Sequence, residues 1–446
     1  MVKAMYFKPR RLAALLVPVL AVLCYAAPAS AISLMQAYDA AVINDPTYRA
    51  AFYSNEQGKE NRILGRAGLL PSLSASYSVN KNNTDRQIGK SLDHPKYSSN
   101  SANLQLRQAI INLDAIARFR QGIAQSNASA AQLEAQRQEL VLRVVGSYVE
   151  ALFATDQMQL VQVQRDMYRE QMQVNNKLFQ KGEGTKTDML ETQARLDLSE
   201  AELIEATDNR TNALNTLSEI VGQPVTSVDA LADNFRVRPT DTLGFEQWKD
   251  AALTNNPELK AQAFGIDIAR QEYNKARSGH LPRLDFVASY NKSDSETINT
   301  LNQEITARSI GLQLNIPLYS GGAVNAQSRQ AAAGIERAKA EMEAKKDKIL
   351  IDLNKEYNLI VSGVERINAL VKAVDSGKLL IRATEQSVKG GVRINLDLLN
   401  AQERLYTSQR DLSRARYNYL LGTLRMRAAA GSLSQDDVRE IATYFR

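Results

Sequence analysis

The sequence reads twice, and that duplication limits the possible folds more than any other feature of its 446 residues. Asn44-Asp45-Pro46 answers to Asn255-Asn256-Pro257, and Leu70-Pro71-Ser72-Leu73 to Leu281-Pro282-Arg283-Leu284, each 211 residues on. Leu104-Gln105-Leu106 recurs as Leu312-Gln313-Leu314 and Lys181-Gly182 as Lys389-Gly390, both at 208, and Gly222 recurs as Gly431 at 209. Markers so widely spread at nearly constant spacing establish a tandem repeat of one structural unit. A helix over 33–68 or 245–279 opens each unit. Two strands follow, near 72–84 and 97–110 or near 283–293 and 307–318. Then come a very long helix (112–180 or 323–388), a turn at Gly182/Gly184 or Gly390-Gly391, and a return helix (185–221 or 393–430). Proline is absent between Pro95 and Pro224 and after Pro317, as uninterrupted helices require, since an interior proline costs about 3 kcal/mol.

The strands alternate with period two. Leu73, Ala75, Tyr77 and Val79 share one face, and Ser72, Ser74, Ser76, Ser78 and Asn80 the other. In the second copy Leu284, Phe286, Ala288 and Tyr290 repeat the pattern. There, too, Ile310, Leu312, Leu314, Ile316 and Leu318 oppose Gly311, Gln313 and Asn315. Alternation alone also suits a half-buried sheet over a soluble core. The nearly pure Ser/Asn/Gln faces, in segments of about ten residues, match the lipid-out, lumen-in strands of a membrane barrel better. The connections Lys81–Lys96 and Ser293–Thr306 are polar, as exposed loops are. The second long helix carries an unbroken heptad: Leu350, Leu353, Tyr357, Ile360, Val364, Ile367, Val371 and Val374. The first starts likewise with Leu142, Val145, Val149 and Leu152, and loses the pattern at Asp156 and Gln159. At 1.5 Å per residue, helices of this length are rods of roughly 100 Å.

Residues 1–31 have the order of a secretory signal peptide: basic Lys3, Lys8, Arg10 and Arg11, an apolar run from Leu12 to Ala27, and Ala29-Ser30-Ala31 at the cleavage site. Cys24 reads as part of the apolar run, with Leu23 too large for a lipoprotein signal. The leader carries four basic and no acidic groups, so the net charge falls from +6 to +2 without it. With it goes the case for a nucleic-acid partner. The remaining organisation is 32–222 as the first repeat, 223–244 as a linker or equatorial segment, 245–431 as the second repeat and 432–446 as a C-terminal equatorial segment.

Four strands cannot span a membrane alone, because lipid tolerates no open sheet edge and known barrels begin at eight strands. Several copies must close one barrel, and a conduit favours three or more, since an eight-stranded lumen is filled by side chains. The helices, with so much polar surface, must continue below the barrel as a cylinder in the periplasm.

Taken together, the duplicated layout, Ile316-Pro317-Leu318-Tyr319-Ser320-Gly321-Gly322 and the two turn segments resemble the TolC family of outer-membrane efflux and type I secretion channels. Those turns are Lys181-Gly182-Glu183-Gly184-Thr185-Lys186-Thr187-Asp188 and Gly391-Val392-Arg393-Ile394-Asn395-Leu396-Asp397-Leu398-Leu399. The resemblance covers essentially all of the mature chain. Thr187-Asp188-Met189-Leu190-Glu191-Thr192-Gln193-Ala194-Arg195 is similar to the branch serving ABC-driven protein secretion. The resemblance implies an α+β membrane protein. It would be a homotrimer whose twelve-stranded β-barrel, four strands per chain, continues as a long α-helical coiled-coil barrel in the periplasm. It also implies outer-membrane lipid around the strands, and a periplasmic adaptor and an inner-membrane ABC transporter, or a proton-driven pump, as partners. The family's entrance is a ring of aspartates after the second turn. Asp397 matches the first position, and Asn400 stands at the second. Links between a first-repeat aspartate and a second-repeat arginine hold the family's gate, and Asp188 and Arg393 match them. Val388 stands where a gating tyrosine is found, and Ala109 faces Pro317 without a junction proline. On residue chemistry alone, Asp188 and Asp397 equally suit the N-terminal dipole of the helices they begin.

The resulting expectation is a passive exit duct for a polypeptide, with drug efflux as the alternative. A coiled-coil stalk or adaptor competes, and the lipid-facing strand pattern argues against it. The residues carry no G-x-S-x-G elbow, paired-His site or Walker loop, so neither an enzyme nor a cofactor is expected. A metal cluster and a disulfide framework are out of reach with only His94, His280 and Cys24 available.

Overall fold

The computed structural model describes residues 31–232, 235, 237, 244–296 and 302–446. The expected leader, with Cys24, lies outside them apart from residue 31, as do parts of the 223–244 segment and of the second strand connection. The first repeat comprises α1 (Leu34–Asn44), α2 (Pro46–Ala67), β1 (Ser72–Asn83), β2 (Arg86–Ile88), β3 (Ser91–Asp93), β4 (Lys96–Ile111), α3 (Leu113–Gln180) and α4 (Lys186–Val221). The second comprises α5 (Phe245–Asn255), α6 (Pro257–Ser278), β5 (Arg283–Ser295), β6 (Gln303–Asn315), α7 (Ala323–Lys389) and α8 (Asn395–Ala429), followed by α9 (Gln435–Ala442).

Three details differ from the sequence expectation, each for a local reason. The opening helix of each repeat is two helices, because Pro46 and Pro257 have no N–H to donate and push the preceding residue out of helical conformation. Asp45 and Asn256 accordingly sit at ψ 118° and 122° and cap the second helix. Asp45 Oδ1 accepts from the Tyr48 N–H at 2.6 Å, and Asn256 Oδ1 from those of Glu258 and Leu259 at 2.9 and 3.2 Å. The last strand covers Gln303–Asn315 rather than 307–318, since Pro317 cannot join a ladder. The polar connection 81–96 holds the β2–β3 ribbon, stapled by an Arg86–Asp93 ion pair.

The main sheet has the order β1-β4-β5-β6, antiparallel throughout, so the two repeats meet at β4–β5. The register puts Leu73, Leu106, Ala288 and Ile310 in one row, and Ser74, Gln105, Ser289 and Ser309 in the next, on the opposite face. Neither face of β1 or β6 is covered within the chain, and the apolar side chains stand in the open, with Leu73 67%, Tyr77 70% and Ile310 79% exposed. That excludes a half-buried sheet over a soluble core. The apolar run covers Leu73–Val79 on β1, yet extends from Ile310 to Ile316 and Leu318 in the last strand and just beyond it, while Leu73 and Ile310 share a row. The band thus steps along the register from β1 to β6, so the strands are tilted against it, as barrel closure demands. Among the described residues β1 and β6 each have one partner strand, leaving both edges of the sheet unpaired.

The apolar core sits where α1, α3, α4, α7, α8 and α9 converge at mid-height. It holds Leu34 and Tyr38, Leu140 and Tyr148, Leu217, Leu353 and Ile360, Leu424 and Met426, and Val438. Tyr148 Oη accepts from the Asp229 N–H at 2.9 Å and donates to the Ile32 carbonyl at 3.0 Å, which pins the start of the first repeat and the segment that follows it to α3. The heptad of α7 is realised, with Leu353, Ile360, Ile367 and Val374 buried. The sequence markers of the duplication also meet here. Asn44 Nδ2 donates to the Val221 carbonyl and Asn256 Nδ2 to that of Ala429, both at 2.9 Å, so in each repeat the corner before the proline docks on the end of the return helix, through its first residue in one copy and its second in the other. The helix ends at Gly222 or Gly431, both left-handed. A Cβ on Gly431 would stand 2.5 Å from the Asn255 carbonyl carbon.

Gly431→Ala therefore combines backbone strain with a backbone clash, and is expected to destabilise by at least about 2 kcal/mol. Gly391→Ala, at φ +71° against +69° but with open space around it, is expected to lose only the smaller strain cost. Circular-dichroism melts in detergent check the contrast. A second outcome concerns Glu356, 7% exposed between α7 and α8, with Arg425 4.0 Å away and Oε2 without a hydrogen bond among the described residues. Burial raises its pKa, and Arg425 offsets part of that. The native state then holds this proton more tightly than the unfolded chain, so stability rises as pH falls through the raised pKa and levels off below the ordinary carboxylate value. Glu356→Gln is expected to melt above wild type at pH 7.5, and the advantage should shrink by pH 4.

Candidate functional site

At the end of the helices far from the sheet, the α3–α4 and α7–α8 turns close with the same hydrogen bonds. The Glu183 and Gly182 N–H groups donate to Leu178 and Phe179 at 2.9 and 3.0 Å, and those of Val392 and Gly391 to Ser387 and Val388 at 2.9 and 3.0 Å. Both turns need a left-handed residue where the helix stops, supplied by Gly182 (φ +78°) and Gly391 (φ +71°).

The four residues singled out from the sequence sit around these turns and differ in what they do. Asp188 is the third residue of α4 and closes a capping box. Thr185 Oγ1 donates to Asp188 Oδ2 at 2.6 Å and accepts from the Asp188 N–H at 3.1 Å. Asp397 holds the same position in α8, but Ile394 stands at the cap and offers no hydroxyl. Among the described residues the Asp397 carboxylate makes no hydrogen bond or ion pair, so it is the uncommitted acid of the pair. Arg393 is exposed just before α8 and, within the chain, does not reach Asp188 or form an ion pair among the described residues. Asn400 Oδ1 accepts from Arg195 Nη2 at 3.3 Å, while Arg195 Nη1 holds Glu403 at 2.6 Å, and together they brace α4 against α8.

The residues that hold the turns together escaped the sequence reading. Thr192 is fully buried, and its Oγ1 accepts from Asn175 Nδ2 at 2.8 Å and from Asn395 Nδ2 at 3.1 Å while donating to the Asp188 carbonyl at 2.8 Å. Gln171 Nε2 donates to Asn175 Oδ1 and Asn395 Oδ1 at 3.0 and 2.9 Å. This neutral network ties the first turn to the second, beside a small apolar cluster of Tyr168, Leu196 and Leu399. Its signal was present but disguised. Val161, Gln164, Tyr168, Gln171 and Asn175 step by three and four, so the heptad of α3 resumes in polar residues after its break.

The histidines each have one polar partner, His94 on Asp85 and His280 Nε2 on Asn325 Oδ1 at 3.0 Å. Among the described residues no three metal-ligating side chains converge, and no helix is long and apolar enough to cross a membrane.

The outer membrane efflux protein family matches residues 37–223 and again 248–432. The alkaline protease secretion protein AprF of Pseudomonas aeruginosa is 40% identical over 94% of this chain and 88% of its own length. The proteases secretion protein PrtF of Dickeya chrysanthemi is 36% identical over 94% of this chain and 92% of its own. Among solved structures, the Campylobacter jejuni CmeC outer membrane channel superposes with a TM-score of 0.80 at 16% identity, covering 93% of this chain and 90% of that one.

Replacing Thr192 with Val keeps the shape and removes the shared hydroxyl, stranding buried amide donors at about 1–3 kcal/mol each. The expected outcome is faster hydrogen exchange over 186–200 and 392–402, with the mid-height core unchanged.

Proposed function

Because the chain belongs to the outer membrane efflux protein family, we propose that it is the outer-membrane exit duct of a type I secretion system. In that role it passively conducts a polypeptide that an inner-membrane ABC transporter exports through a periplasmic adaptor. The observation that carries this reading is the pair of relatives named for protease secretion, 36–40% identical along nearly the whole chain. The geometry supports a conduit. The sheet sorts its apolar side chains onto one open face and its hydroxyls and amides onto the other, and among the described residues both edges await a neighbour. Three copies joined β6 to β1 give a twelve-stranded barrel in outer-membrane lipid, with the long helices as a tunnel in the periplasm. No cofactor or catalytic step enters this function.

The turns form the gate in this reading. Arg393 of one copy pairs with Asp188 of the next, a pairing open to an exposed guanidinium that has no ion-pair partner among the described residues of its own chain. Asp397, free of a cap, points the only carboxylate of its position toward the threefold axis. Three such carboxylates close together attract cations, and Asn400 leaves the second ring uncharged.

The test is deletion of the gene in its own host, scored for an exported protease and for drug susceptibility. Loss of export with unchanged drug tolerance is expected, and the reverse pattern would assign the chain to small-molecule efflux. In planar bilayers, Arg393→Ala is expected to raise single-channel conductance, and Asp397→Ala to shift the reversal potential away from cation selectivity. Wild-type values in both variants would remove these residues from the gate.

A further inference from the structure

The register of the sheet fixes which side chains share each level of the face opposite the apolar one. Four successive rows on that face contain no charged residue. They are Ser74-Gln105-Ser289-Ser309, Ser76-Asn103-Asn291-Ala307, Ser78-Ser101-Ser293-Ile305 and Asn80-Ser99-Ser295-Gln303. At about 3.3 Å per residue they span roughly 20 Å along the strands. Neighbours within the rows hydrogen-bond to one another, with Ser78 Oγ 2.8 Å from Ser101 Oγ and Ser289 Oγ 2.7 Å from Ser309 Oγ.

Charge on this face begins only below those rows, toward the helices. Arg107 shares a row with Ser72, Val287 and Gly311, Asp285 lies in the next and Arg283 in the one after. The Asp285 carboxylate is 5% exposed and held by Arg107, with Nε at 3.0 Å, and by Arg283 Nε at 3.5 Å. The charged residues of the outer ends, Lys292, Asp294, Glu304 and Arg308, all fall in the apolar-face rows. Fixed charge is therefore sorted by level as well as by face.

We propose that the outer half of the barrel lumen is a charge-free sleeve that passes extended polypeptide of either net charge. Electrostatic discrimination is confined to the Arg107–Asp285–Arg283 cluster at its foot and to the tunnel below. Near a low-dielectric wall any ring of like charges would hold or repel segments of a mixed-charge chain. Hydroxyls and amides keep the lumen wet, unlike an apolar constriction, and offer both donors and acceptors without such a ring. The lining rests on the barrel geometry, and the polypeptide cargo rests on the secretion reading above.

Cys24, in the expected leader, is the only cysteine of the chain, so single-cysteine variants of the full chain in a Cys24→Ser background are clean probes. Ser74→Cys and Ser289→Cys, treated on intact cells with a cationic trimethylammonium or an anionic sulfonate methanethiosulfonate, are expected to react at rates within about twofold of each other, after normalising to a free thiol, because no fixed potential separates the two. A preference of about tenfold or more for one sign would overturn the neutral sleeve while leaving the barrel standing. Gln105→Glu, in the same row as both cysteines, is expected to create such a preference for the cation. Its failure to do so would show that lumen charge does not govern passage, and would also overturn the proposal. Reaction at Leu73→Cys and Ile310→Cys but not at Ser74→Cys and Ser289→Cys would reverse the faces and remove the barrel reading itself.

Discussion

The unpaired backbone along β1 and β6 is the constraint on which the rest of the architecture depends. In hydrocarbon every unsatisfied N–H or C=O costs several kcal/mol, so a four-stranded sheet with lipid-facing side chains has no stable existence as a single copy. Closure onto further copies satisfies both edges at once, and the stepped apolar band supplies the strand tilt that closure needs. The helices inherit the circumference set by the strands. They therefore form a wall one helix layer thick, and most of their surface stays polar because it faces water on both sides.

Such a wall has little interior of its own, and the chain concentrates what it has at mid-height. The core between α1, α3, α4, α7, α8 and α9 fixes the rods at their centres, and the Asn–Gly joints lock each repeat's corner onto the end of its own return helix. Away from that belt the helices are held by narrow seams. At the turns the seam shrinks to a few buried apolar side chains, Tyr168, Leu196, Leu398 and Leu399 among them, and a web of amides and one hydroxyl. Few buried apolar contacts mean low local stability, so the structure is firm at the waist and yielding at the entrance. That distribution suits the gate proposed at the turns.

Much of this was legible in the residues. Period-two alternation marks the two faces of β1, β5 and β6, and the turn glycines mark where rods double back. Thr185-x-x-Asp188 closes a capping box, whereas residue chemistry alone gave Asp188 only as a charge suited to the helix dipole. The break at Asp45-Pro46 was announced by a cap residue before a proline, but the triplet drew attention as a repeat marker instead. The turn network was hidden because Gln171 and Asn175 occupy seam positions that a hydrophobic pattern counts as interruptions. Arg107 and Asp285 lie 178 residues apart and meet only through the β4–β5 register, which neither strand encodes alone.

One consequence follows from the strand order β1-β4-β5-β6. Within a chain the middle joint unites the first repeat with the second, and every seam between copies, β6 to β1, does the same. Around the closed tube the two repeats therefore alternate, and three chains present six nearly equivalent sectors. A molecule approaching from below meets approximate sixfold symmetry in the helices and true threefold symmetry only where the repeats differ. They differ at the turns, where one sector offers a capped Asp188 and the next an uncapped Asp397 beside Arg393. Any docking that recognises threefold rather than sixfold symmetry must therefore read residues that the two repeats do not share.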